Sequence, residues 1–65
     1  MAITYLRADV VHGVEIAGHL PAGVSVYLDV KEYLHDLATL KHGETIYLLA
    51  TPEDCGLVNA EYGIH

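Results

Sequence analysis

Two hydrophobic periods run along this chain, and they exchange at Asp29. Residues 24 to 29, Val-Ser-Val-Tyr-Leu-Asp, alternate with period two. This predicts a strand with Val24, Val26 and Leu28 on one face and Ser25, Tyr27 and Asp29 on the other. From residue 30 the repeat becomes helical. At 100° per residue Val30, Tyr33, Leu34, Leu37, Ala38 and Leu40 share one arc, while Lys31, Glu32, His35, Asp36, Thr39 and His42 share the opposite one. Asp29 with Glu32 three residues on reads as a capping-box start, and Gly43 after Lys41-His42 reads as a stop. The prediction is an amphipathic helix over 30 to 42.

Upstream, residues 2 to 8 and 10 to 17 are rich in strand formers, with a turn or bulge near Asp9, and Gly18-His19-Leu20-Pro21-Ala22-Gly23 reads as a turn. Downstream, residues 44 to 50 form a run that is apolar on both faces, as a central strand is. A strand, a helix and a strand joined this tightly predict a parallel crossover. Thr51, Pro52, Glu53 and Asp54 then start a second helix, since a hydroxyl cap, an early proline and acidic residues all suit a helix N-terminus. Gly56 predicts that it is short, a helical turn, and Gly63 that the ordered pattern ends there.

The expected fold is therefore α+β, one domain over residues 1–65. It is a three- to four-stranded sheet with one amphipathic helix on one face, in the order β-β-β-α-β with a short C-terminal helical turn. One helix covers one face of a sheet. If it packs on Val24, Val26, Leu28, Ile46, Leu48 and Ile16, then Tyr27, Tyr47, Leu49 and Tyr5 lie on the far side. Two readings of that side stand at this level. Either the C-terminal residues Leu57, Val58, Tyr62 and Ile64 fold over it, or it meets a partner, for which tyrosine is well suited.

Size adds weight to a partner. A chain of 65 residues buries only about 60% of the surface that its unfolded form exposes, which leaves hydrophobic gain and ordering entropy nearly in balance. Hydrophobic residues make up 52% of the sequence, far from the composition of a disordered tail. Nine acidic residues against Arg7, Lys31 and Lys41 give a net charge of −6. Phosphate neutralisation needs clustered Lys and Arg, so direct contact with nucleic acid or anionic lipid is disfavoured. An acidic surface instead attracts a basic partner, including the groove of a nucleic-acid-binding protein. The sequence has neither a run of 18 apolar residues nor a basic start followed by a long apolar stretch, and its one cysteine matches a reducing compartment, so a cytoplasmic protein is expected.

The residues offer little for catalysis. Cys55 falls in the first turn of the second helix, but Glu53 and Asp54 oppose a thiolate there. The pattern Leu37…Leu40…Gly43-Glu44…Leu49-Ala50-Thr51-Pro52 resembles the second half of small sulfur-carrier proteins. Those carry Cys-Pro-x-Pro before the first helix, and Leu28-Asp29-Val30-Lys31 stands here, so their function does not carry over. His35 and His42 lie two turns apart on one helix flank, too far for one ion, which needs ligands at i and i+3 or i+4. The paired carboxylates Glu53-Asp54 fit a helix start, and the glycines sit at turns rather than in a phosphate-cradling loop.

No catalytic residue, metal ligand or cofactor is expected. The expectation is a non-catalytic protein-binding module: a small acidic accessory or inhibitory protein, of the phage or bacterial kind, that docks on a larger, basic, nucleic-acid-binding protein. The candidate contacts are Tyr5, Tyr27, Tyr47, Leu49, Glu32, Asp36, Glu44, Glu53, Asp54 and Glu61. Two alternatives stand beside it: a homo-oligomeric structural or regulatory scaffold built through the tyrosine face, and a small thiol- or metal-dependent enzyme component.

Overall fold

The computed structural model describes residues 4–65; the expected strand positions 2 and 3 lie outside them. Two strands come first, β1 (Thr4–Asp9) and β2 (Gly13–Ala17), joined as an antiparallel hairpin. The turn between them is built by Asp9, whose carboxylate accepts the His12 backbone N–H at 2.6 Å, and by Gly13 at φ +72°, a conformation that favours glycine. Strand β3 (Val26–Tyr27), helix α1 (Val30–Leu37), strand β4 (Ile46–Ala50) and helix α2 (Pro52–Glu61) follow. The sheet order is β2-β1-β4-β3, with β4 antiparallel to β1 and parallel to β3. The fold is α+β, and the parallel strands β3 and β4 are joined through α1 as the pattern predicts.

Both helices share one face of this sheet. Leu6, Ala8, Val14, Tyr33, Leu48, Ala50 and Val58 form the buried core, with Tyr27, Val30, Leu34, Leu37, Leu40, Ile46, Cys55 and Ile64 packed against it. Tyr33 comes from α1 and Val58 from α2, so the C-terminal residues do not cross to the other face. They dock beside α1 instead. Gly63 at φ +77° turns the chain, after which His65 donates its backbone N–H to the Val14 carbonyl at 2.9 Å. The ordered pattern thus continues past Gly63.

Helix α2 is ten residues long rather than a single turn. One exposed glycine in a helix costs about 1 kcal/mol, and the gains exceed that. Thr51 and Asp54 cap each other reciprocally at 3.2 Å, and Val58 is fully buried. Helix α1 is shorter than expected and ends at Leu37. There the Thr39 hydroxyl and N–H both turn back to the Asp36 carbonyl, at 3.4 and 3.2 Å. A local side-chain bond of this kind competes with the helical ladder, and turns then lead to Gly43 at φ +87°.

The phase of β3 is the reverse of the expected one. Tyr27 pairs with Leu48 and Val26 with Tyr47, so Tyr27 joins the helix face and Val26 the second face. Alternation predicts two faces without saying which is inward, and a phase error moves every side chain to the other side. The Tyr27 ring meets Tyr33 edge-on, at 5.7 Å between centroids and 71° between planes, and its hydroxyl donates to Asp36 of α1. Leu28 is 74% exposed and Val24 is also exposed; neither supports α1. Ile16 pairs with Leu6 on the helix face yet remains 63% exposed, because β2 is an edge strand.

The second face carries Tyr5, Arg7, Glu15, Tyr47, Leu49 and Val26. Residues 18–25 must run from β2 at one edge to β3 at the other. Parallel β3 and β4 are bridged in one direction across the helix face. A right-handed connection in the opposite direction therefore crosses the second face. Half-buried Leu20 and Pro21, and Tyr47 at only 6% exposure, agree with that path.

Candidate protein-binding surface

The residues singled out from the sequence separate into three groups. Tyr5 and Leu49 are half-buried on the second face. Tyr47 lies on that face too but is buried, so it packs the fold and offers no contact area. Tyr27 is not on the far side at all. Glu53 is exposed in the first turn of α2, Asp54 is engaged as a cap, and Glu61 ends the helix. With a rise of about 1.5 Å per residue, the two ends of α2 lie roughly 13 Å apart. The α2 acids thus form no cluster.

Asp36 accepts from the Tyr27 hydroxyl, Asp36 and Glu44 line one cleft with Tyr27, and Glu32 lines a second cleft that Tyr27 also borders. Its hydrogen bond to Asp36, its partial burial and the negative charges of Asp36, Glu32 and Glu44 hold the Tyr27 phenol above its ordinary pKa. Accepting from Tyr27 and from His35, at 3.1 Å from its Nδ1, keeps the Asp36 carboxyl below its usual range. The pair is therefore a neutral phenol donating to a carboxylate at neutral pH. The charge remains available for a cation.

Tyr27 is also the wall between two clefts. One, of about 410 Å³, is lined by Tyr27, Asp36, Thr39, Leu40, Lys41, Glu44 and Ile46. The other, of about 430 Å³, lies between the outer edge of β3 and α1 and is lined by Ser25, Val26, Tyr27, Leu28, Asp29 and Glu32. The lining of each mixes apolar side chains with acids, Asp36 and Glu44 beside Lys41 in the first and Asp29 and Glu32 in the second. Asp29 caps α1 by accepting the Lys31 N–H at 3.0 Å, and Glu44 accepts the Lys41 N–H at 2.9 Å. Asp29, Thr39, Leu40, Lys41 and Ile46 were not singled out from sequence. The turns after α1 bring the last four to the cleft, and no local pattern encodes that approach.

In the β1–β2 hairpin the charges are paired. Arg7 lies 2.7 Å from Asp9 and 3.3 Å from Glu15, and Asp9 is held far below its usual pKa, chiefly by the backbone and ring N–H groups of His12 and then by Arg7. Burial, with the charge of Asp54, pushes the Cys55 thiol up, the opposite of what a thiolate nucleophile requires. Among the described residues no group of three or more His, Cys, Asp or Glu is placed to hold a metal ion, and no helix is long and apolar enough to cross a membrane. No family model, curated protein or solved structure matches the chain.

Proposed function

We propose that this chain is a non-catalytic protein-binding module that docks, through the acidic clefts beside Tyr27, onto a basic surface of a larger protein. The supporting observation is a pair of clefts that share Tyr27, one lined by Asp36 and Glu44 and the other by Asp29 and Glu32, in a chain of net charge −6. Such a field steers a cationic partner and fixes its orientation. A nucleic-acid-binding protein whose groove is lined by Lys and Arg fits the description, and the module would then act as an accessory or inhibitor that competes with phosphate. With one cysteine, raised in pKa and half-buried, it suits the cytoplasm.

The test is titration with hexalysine, followed by backbone amide shifts. Shifts should gather at Glu32, Asp36 and Glu44 and fade as salt rises, because the Debye length falls from about 30 Å at 0.01 M to about 8 Å at 0.15 M. Shifts spread evenly over the surface, or insensitive to salt, would refute the reading. A homo-oligomer through the second face has less support, since Tyr47 is buried there. Sedimentation velocity across a dilution series reads it directly.

A further inference from the structure

The outer edge of β3 carries a more specific inference, which rests on the reading of a basic partner given above. The two-residue strand β3 (Val26–Tyr27) is one edge of the sheet, paired with β4 on one side only. The opposite edge is treated differently, because His65 donates to the Val14 carbonyl there. Along β3, exposed Val24 and Leu28 flank the paired residues, and the cleft between strand and helix has Val26, Tyr27 and Leu28 on its walls and Asp29 and Glu32 at its rim. An edge strand with unpaired backbone groups is a template for another strand. A groove bounded by an edge strand and a helix is also the geometry in which extended peptides are bound, with main-chain bonds giving affinity and alternate side chains giving specificity.

We propose that β3 binds an extended segment of the basic partner as a fifth strand, with alternate Lys or Arg side chains directed to Asp29 and Glu32 and the intervening apolar side chains laid against Val26 and Leu28. Charge selects this occupant over a second copy of the chain. Two copies paired edge to edge would bring Asp29 and Glu32 of each to one seam, where like charges repel. Lys31 is the cation closest in sequence to that rim, and a single Lys leaves the two carboxylates in excess. The other cleft that Tyr27 borders adds Asp36 and Glu44, with Lys41 also in its lining.

The probes are two synthetic peptides of equal charge, Lys-Val-Lys-Val-Lys-Val-Lys and Lys-Pro-Lys-Pro-Lys-Pro-Lys, titrated into the whole chain and followed by amide shifts. Proline cannot donate to a ladder. The valine peptide should bind more tightly, with the largest shifts at residues 24–28, and Glu32→Lys should weaken it about fivefold or more, as reversal of one partly exposed charge pair does. Glu32 is exposed, so this variant keeps the fold. Equal binding of both peptides would overturn strand addition while leaving the basic-partner reading intact. Loss of binding for both would overturn the two together, and valine-peptide shifts centred on β2 would reassign the edge and overturn this one.

Discussion

Tyr33 is fully buried in the core, its hydroxyl donating to the Leu6 carbonyl of central strand β1 at 2.9 Å. Burial pushes its phenol far above the ordinary range, so in the folded state it stays neutral well into alkali. Tyr33→Phe removes one buried hydrogen bond without changing the ring. At neutral pH the loss is about 1 kcal/mol. For 65 residues the unfolding entropy is about 0.14 kcal/mol/K, so the midpoint temperature should drop by about 7 °C. The pH dependence is more diagnostic. A phenol with a raised folded pKa contributes stability fully present below its unfolded value of about 10 and lost as pH rises above it. At about pH 11 that loss is about 1.4 kcal/mol in the wild type and absent in the variant. The gap between the two proteins should therefore close between about pH 9 and 11 and reverse slightly at the top. Urea unfolding followed by circular dichroism, at matched ionic strength, measures this. The raised pKa of Tyr27 is common to both proteins and drops out of the difference. A gap that stays constant over the range would mean that the Tyr33 phenol is not held neutral by burial, and the reasoning would fail.

Two further outcomes concern stability. Asp9 is held below its unfolded pKa by His12 and Arg7, so its contribution is present above about pH 4 and lost as pH falls; Asp9→Asn should flatten the acid limb of the stability profile, and an unchanged limb would remove Asp9 from the account. Val58 is the fully buried side chain through which α2 enters the core, so Val58→Ala should cost about 2 kcal/mol with the urea m-value unchanged, whereas a lowered m-value would show α2 detaching before the sheet unfolds.

Much of the fold is legible in the residues themselves. The switch of period at Asp29 marks the start of α1, Ile46–Ala50 of the run 44 to 50 form the interior strand β4, and Thr51-Pro52-Glu53-Asp54 starts α2 with the expected cap. These signals are local: a period of 2 or 3.6, a side chain bonding its own backbone, a proline whose φ suits a first turn. The length of α2 was hidden because Gly56 is costly on its own, and the burial of Val58 that outweighs it belongs to the sheet. The site was less legible. Glu32, Asp36 and Glu44 can be picked out as acids, but nothing in their spacing brings them to clefts on either side of Tyr27.

The α+β class, the order of the elements up to β4, the acidic balance and the absence of a basic stripe were legible in the residues, because these follow from composition and nearest-neighbour chemistry. Tertiary structure alone decided which way β3 faces, and so whether Tyr27 serves the core or a surface. Alternation is symmetric between the two sides of a strand. The choice was made by packing between elements, the ring of Tyr33 and the carboxylate of Asp36 meeting Tyr27 on the helix face. Packing likewise set both helices on a single face and left the β3 edge beside α1 open.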